Sequence, residues 1–287
     1  MAVILQELLS LLALERLEIN LFRGSSHDIG TPRVYGGQVL GQALRAAQHT
    51  VEDRVVHSLH AYFLREGDPH APIIYDVDRS RDGRSFSARR VVAIQHGAQI
   101  FTLSASFQTP EPGLEFHTPM PEVPDPESLP SIRELETHHL EQLPEKFKRL
   151  VQFSAPFELK SVEFAPGAES EDSLPCRHFW IRTVDTMPDD PHMHEALLAY
   201  ISDYGLLTTA LRPHHIHFTD TSLKIASIDH AMWFHRPFRL DQWLLYSFEA
   251  ISTSSARGLA RGSLYNRDGV LVASTVQEGL LRIRDRG

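Results

Sequence analysis

The chain is 287 residues long, 42% hydrophobic, with a formal charge of -9 at pH 7, so it can bury a large core and has room for two domains of ordinary size. The acidic balance, with no strongly basic segment, argues against a general nucleic-acid or membrane-surface binder, and any polyanionic ligand would need a local patch of cations. The single Cys176 excludes an intrachain disulfide framework and fits a reducing compartment.

Residues from Met1 to Leu21 are leucine-rich but interrupted by Glu7, Glu15, Arg16 and Glu18, which predicts an amphipathic helix in place of a signal peptide. No stretch approaches the roughly 20 uninterrupted apolar residues of a membrane span. The terminal Arg-Asp-Arg-Gly is no peroxisomal address, so the cytoplasm is the expected location. Next, Tyr35-Gly36-Gly37-Gln38-Val39-Leu40-Gly41-Gln42-Ala43-Leu44 opens on glycines and runs on as a helix to Gln48. Such glycines permit close backbone packing or an anion at the helix N-terminus. Without the rest of a phosphate-loop or dinucleotide fingerprint, tight helix-to-sheet packing is the expectation.

From Val55 the pattern turns to strands, over Val55 to Leu64, Ile73 to Ser80, Phe86 to His96 and Ile100 to Gln108, with Asp82-Gly83 and His96-Gly97 as turns. One helix followed by antiparallel strands is an α+β pattern. The stretch from Pro110 to Pro130 carries seven prolines in twenty-one residues, which neither a helix nor a central strand tolerates, and it reads as a linker. A short polar helix from Ser131 to Leu150 completes the linker region, 110–150, between an N-terminal unit, 1–109, and a C-terminal unit, 151–287. Val151 to Phe164 and Arg177 to Val184 are expected strands.

The second unit repeats the first. His60-Ala61 lines up with His230-Ala231, Tyr75 with Tyr246, Ser87-Ala88-Arg89 with Ser255-Ala256-Arg257 and Gln108 with Gln277, at offsets between 168 and 171. Self-similarity over a whole domain suggests duplication and fusion. The second helix is expected from His194 to Leu211 and its strands over Ile225 to Arg236, Trp243 to Ser252, Ala256 to Tyr265 and Val270 to Arg282. Within these apolar elements three polar residues look out of place: Asp203, Ser227 and Gln277. A buried carboxylate is costly unless hydrogen-bonded, and Ser227 and Gln277 can bond Asp203 if the sheet wraps the helix.

Several runs then carry a family resemblance: Val34 to Ala43, His57-Ser58-Leu59-His60-Ala61-Tyr62-Phe63, Arg81 to Val91, Ile228-Asp229-His230-Ala231-Met232-Trp233-Phe234-His235-Arg236 and Ala273-Ser274-Thr275-Val276-Gln277-Glu278-Gly279. Through them the chain resembles acyl-CoA thioesterase II, the double-hotdog thioesterases, over nearly its full length. The resemblance implies a double hotdog, two tandem antiparallel sheets each wrapped around a helix. It also implies that Asp203, Ser227 and Gln277 orient the water that hydrolyses a thioester, releasing a fatty acid and coenzyme A. Some relatives have Thr at the position of Ser227.

The chemistry is consistent with that set. A thioester has a good leaving group, so one general base and two hydrogen-bonding partners for a water are enough, without a covalent nucleophile. The oxyanion donor is expected to be a backbone N–H at a helix N-terminus or the Gln277 amide. No metal or cofactor is expected, coenzyme A being part of the substrate. For its phosphates, Arg84, Arg89 and Arg257, with Arg90 and Arg261, are the candidate cations. The protein is expected to be a homo-oligomer, dimer or tetramer. The alternatives are a non-catalytic acyl-CoA-binding protein, which would tolerate loss of Asp203, and a hotdog hydratase, which would need a His paired with an acid. His215 and Asp220 have the H-x4-D spacing of glycerolipid acyltransferases, but that reading needs another fold. A single working site per chain is expected, since Ser227 is matched by His57 and the segment from Gly36 to Gln48 contains no acid.

Overall fold

The computed structural model describes residues 5–29, 32–131, 156–164, 175–218, 220 and 222–283. The first unit comprises α1 (Leu5–Leu12), β1 (Glu15–Glu18), β2 (Leu21–Gly24), α2 (Gly36–Gln48), β3 (Val55–Phe63), β4 (Ile73–Asp82), β5 (Phe86–Gln95) and β6 (Ala98–Gln108). The second comprises β7 (Phe157–Ser161), β8 (Cys176–Thr183), α3 (Pro191–Ser202), β9 (Leu223–Ser227), β10 (Asp229–Phe234), β11 (Leu244–Ser254), β12 (Arg257–Asn266) and β13 (Leu271–Ile283). Alternation sets each strand's inner face. In β12, for example, Gly258, Ala260, Gly262 and Leu264 point inward, while Arg257 and Arg261 stay exposed.

The two sheets are continuous with each other. Among the described residues, thirteen strands run β1-β2-β4-β5-β6-β3-β10-β13-β12-β11-β8-β7, with β9 pairing β13 to the side. The order reads the same from either end, strand for equivalent strand, and the join is the antiparallel pair β3–β10. There His60 faces Ala231 and Ala61 faces His230, so the two repeated dipeptides meet across a pseudo-twofold axis.

Helices α2 and α3 lie back to back inside this sheet. A β-carbon on Gly37 would run into the carbonyl oxygen of Tyr200, and one on Gly41 would lie 2.9 Å from that of Ala196. Contacts running in opposite sequence directions make the helices antiparallel. The glycines therefore serve helix-to-helix packing, not the helix-to-sheet packing expected from the sequence. Leu40 and Leu44 of α2, together with Leu8 and Leu12 of α1, are fully buried, each contributing about 1.5–3 kcal/mol of transfer free energy.

Other expectations are corrected. The N-terminal helix stops at Leu12, and the chain forms a hairpin whose second strand pairs with β4 at the sheet edge. The second helix ends at Ser202, with Asp203 as its C-cap. Gly205 then takes φ +79°, a left-handed conformation that stops a helix, and residues Leu207–His214 continue as a 3-10 turn. The expected strand from Ile225 to Arg236 is broken at Ile228. Ser227 faces Gly279 but Ala231 faces Val276, which places one extra residue in this strand, a bulge held by Glu278 N–H donating to Asp229 Oδ1 at 2.7 Å.

The proline-rich segment crosses the outside of the second unit. Trp180 Nε1 donates to Pro124 O at 2.9 Å, and Leu129 packs with Trp180, Trp243, Leu245 and Tyr265. The expected helix over 131–150 lies, apart from its first residue, outside the described residues, as do residues 151–155 of the expected strand.

Candidate active site

Asp203, Ser227 and Gln277 come from three separate elements and meet in one cluster. Gln277, on the inner face of β13, is fully buried. Its Nε2 donates to Asp203 Oδ1 at 2.6 Å and to Ser227 Oγ at 3.0 Å. The Ser227 hydroxyl and the Gly37 backbone N–H also donate to the Asp203 carboxyl. The bulge at Ile228 makes this arrangement possible. Residues 227 and 230 would face opposite ways in a regular strand, yet Ser227 reaches Asp203 while His230 Nε2 lies 3.0 Å from Ser202 Oγ, also inside.

Burial raises the pKa of Asp203 above its ordinary value; the hydrogen bonds from Gln277, Gly37 and Ser227 and the positive charge of Arg33 oppose that shift without cancelling it. A carboxylate so placed is a stronger base than a solvated aspartate. It stays half-buried, because one side opens on a cavity of about 390 Å3. Ser227 lines that cavity too, but Gln277 does not. With both amide hydrogens committed, Gln277 holds the Asp203 carboxyl and the Ser227 hydroxyl in place and has no hydrogen left to donate elsewhere.

The cavity is lined from both units. Val34, Tyr35, Gly36 and Val39 come from α2 and the residues before it, Phe63 from the end of β3, and Ile100 and Phe101 from β6. Tyr35 OH donates to Tyr200 O at 3.0 Å, anchoring the start of α2 on α3. The phenols of Tyr35 and Tyr246 are both pushed up, chiefly by burial and in part by the negative charge of Asp203. Behind Asp203, Tyr246 OH donates to Ser202 O at 3.0 Å and fixes the last turn of α3. Sequence reasoning missed Tyr35 and the Gly36-Gly37 pair as site residues. The glycines were the available signal, having been read as packing residues or as an anion site at a helix start.

The arginines expected to hold coenzyme A do not line this cavity. Arg89 is 2% exposed, and its guanidinium donates to Thr50 Oγ1, Thr50 O, Arg81 O and Asp82 Oδ1; it ties β5 to the end of α2. Arg257 pairs with Glu278 at 2.8 Å and Arg261 with Glu249 at 2.7 Å. Arg84 and Arg90 are exposed. The cations that do line the cavity are Arg33, Arg65 and Lys224.

The pseudo-equivalent end of the helix pair is built differently. His49 is the C-cap of α2 where Asp203 caps α3, and α3 begins with Pro191, which has no N–H to offer. Asp190 accepts the His192 N–H at 3.0 Å. His57 Nε2 lies 2.8 Å from Ser106 Oγ, and Gln108 donates outward to Glu111 at 2.9 Å.

Comparison with known proteins agrees with this architecture. Residues 158–280 match the family described as acyl-CoA thioesterase, and residues 23–108 match the acyl-CoA thioesterase N-terminal domain. The chain is 42% identical to acyl-CoA thioesterase 2 of Haemophilus influenzae, over 99% of this chain and 100% of that protein. It is 41% identical to human acyl-coenzyme A thioesterase 8, over 96% of this chain and 88% of that one. The crystal structure of acyl-CoA thioesterase II TesB2 from Mycobacterium marinum superposes with a TM-score of 0.77 at 38% identity, covering 96% of this chain and 98% of that chain. By its sequence along both units, and by a fold it shares with a solved relative, this chain belongs to the acyl-CoA thioesterase family.

Proposed function

We propose that the protein hydrolyses fatty acyl-CoA to a free fatty acid and coenzyme A, with Asp203 as general base. The observation that carries this reading is a half-buried carboxyl of raised pKa, held by Gln277, Ser227 and Gly37, with its open side on a largely apolar cavity. A water between Asp203 and Ser227 loses its proton to Asp203 as its oxygen attacks the thioester carbonyl carbon. The first N–H of α2, that of Gly36, lies at the positive end of a helix dipole, where it can receive the developing oxyanion. Collapse of the tetrahedral intermediate breaks the C–S bond, and the proton taken by Asp203 passes to the departing sulfur or to solvent. The atoms balance with water as the only co-substrate, so the reaction calls for no metal or further cofactor.

Apolar side chains such as Val39, Phe63, Ile100 and Phe101 suit an acyl chain. The hydratase alternative loses support because no histidine is among the cavity-lining residues described. Two units, 1–109 and 151–287, joined by 110–150, would then share one site, with the catalytic polar set supplied by the second. No helix of the described residues is long and apolar enough to cross a membrane; we place the protein in the cytoplasm, as a homo-oligomer. The test is to incubate purified protein with acyl-CoAs of several chain lengths and a thiol reagent. Thiol release is expected, and its absence at every length would overturn the hydrolase reading.

A further inference from the structure

The cavity needs a place for the charged end of its substrate, and the row of side chains leading out of it along β9 and β13 has the right character. Ala226 faces Leu280 and Lys224 faces Arg282 in the antiparallel register. Residues two apart on a strand share a face, so the row that lines the cavity at Ala226 and Leu280 continues directly to the two cations. Lys224 is itself a lining residue, and both Lys224 and Arg282 are exposed.

Like charges directly opposite one another destabilise a sheet. Among the described residues, neither Lys224 nor Arg282 has an acidic partner, whereas the neighbouring Arg257 and Arg261 are each paired with a glutamate. A cross-strand pair of cations with no acidic partner among the described residues, one lining the cavity and the other facing it across the ladder, in a protein of formal charge -9, is suited to an anionic ligand. On the first unit's side, Arg65 adds a third positive charge to the lining and spends one donor on Gln99 O, at 2.6 Å.

The spacing fits a substrate with phosphates remote from its reacting centre. Ser227 lies against Asp203, and Lys224 is three residues away, roughly 10 Å along a strand, with its own side chain extending the reach. Coenzyme A likewise separates its diphosphate from the thioester by the whole pantetheine arm. Arg33 is not part of this subsite. Its donors go to Glu66 Oε1 and Ile225 O, and it is close enough to Asp203 to lower the pKa of that carboxyl.

Resting on the thioesterase reading, we infer that Lys224 and Arg282, with Arg65 across the cavity, form the phosphate-binding subsite for the coenzyme A part of the substrate. The experiment compares wild-type protein with Lys224→Glu and Arg282→Glu on acyl-CoA, acyl-dephospho-CoA and acyl-pantetheine, the last of which carries no phosphate. Each substitution is expected to raise KM for acyl-CoA roughly tenfold while leaving kcat and the melting temperature nearly unchanged. Neither should alter the kinetics on acyl-pantetheine. If acyl-dephospho-CoA behaves like acyl-CoA, the cations hold the diphosphate; if it behaves like acyl-pantetheine, they hold the 3′-phosphate. An unchanged KM for acyl-CoA, or an equal loss on acyl-pantetheine, overturns the assignment. Calorimetric titration with coenzyme A alone separates this failure from that of the parent reading. Tight binding by wild-type protein that is lost in both variants, without thiol release from any thioester, would sink the hydrolase and keep the subsite.

Discussion

A β-carbon on Gly36 would stand 2.7 Å from Oδ2 of Asp203, so a glycine of the first unit leaves the room in which the carboxylate of the second unit sits. Gly37 beside it donates its N–H to that carboxylate. Gly36→Ala should therefore displace a side chain already pinned by Gln277 and lower kcat about 10-fold or more, with little loss of stability. Gly37→Ala meets a backbone carbonyl, which cannot swing aside, and should destabilise the protein by several kcal/mol, on the order of severe overpacking. Steady-state kinetics and thermal melts on the two variants distinguish these outcomes. Full activity of Gly36→Ala would show that Asp203 has another working position.

Asp203→Asn keeps the shape and removes the carboxylate that we propose as the base. We expect kcat to fall roughly 10²- to 10⁴-fold while the fold persists. The sign of the stability effect follows from the raised pKa. A carboxyl harder to ionise in the folded than in the unfolded chain contributes most below its ordinary value of 3.8, and that contribution is lost as pH rises through the folded value. At neutral pH the variant should melt no lower than wild type, and the kcat profile of wild type should fall on the acid side at a pH above the ordinary aspartate range. More than a third of wild-type activity in Asp203→Asn would remove it from the role of base.

The two glutamines of the repeat offer a matched comparison. Gln277 is buried between Asp203 and Ser227, whereas Gln108 binds Glu111 in an exposed setting. Gln277→Ala should lower kcat about 10- to 1,000-fold, and Gln108→Ala less than about threefold. Equal catalytic losses at unchanged melting temperature would mean that both ends of the helix pair are catalytic.

Ser227 gives a finer test, since its hydroxyl both accepts from Gln277 and donates to Asp203. Ser227→Thr keeps the hydroxyl and should be mild, while Ser227→Ala should reduce kcat clearly, by about 10-fold. Rates indistinguishable among the three proteins would exclude the hydroxyl from the mechanism.

His230 is buried beside Ser202, and burial pushes its pKa from 6.5 down to about 3. The unfolded chain then takes up a proton that the folded protein refuses, so stability present above pH 6.5 is lost as pH falls toward 3. His178 and His194 act in the same direction. In His230→Gln, whose amide can still bond the Ser202 hydroxyl, the melting temperature should decline less steeply across that window. Parallel melting curves for the variant and wild type would place the acid sensitivity elsewhere.

Most of the strands were legible because alternation is local, and Gln277 and Ser227 stood out because each interrupts an apolar surface. Asp203 stands out for the same reason, although its helix ends one residue before it. What could not be read were features decided at a distance. The join of β3 to β10 depends on two edges meeting, and the bulge at Ile228 on a hydrogen bond from Glu278 to Asp229. The role of Gly36 depends on a carboxylate from the other unit. Arg89, a candidate cation by sequence, is covered by the end of α2, and Thr50 and Asp82 take its donors, a burial that its place in a strand beside a turn does not reveal.

The seam where His60 faces Ala231 and Ala61 faces His230 has a consequence for how such a protein can change. In two identical subunits, every substitution at a shared edge appears twice, once on each side of the axis, and must be tolerated in both places. A tandem chain is released from that obligation. The first half can do without an acid and a hydroxyl while keeping its helix-opening glycines, the second can keep the acid and the hydroxyl while giving up the glycines, and one composite site results. The asymmetry between Asp203 at one end of the helix pair and His49 at the other is a freedom that a symmetric dimer of the same fold does not possess.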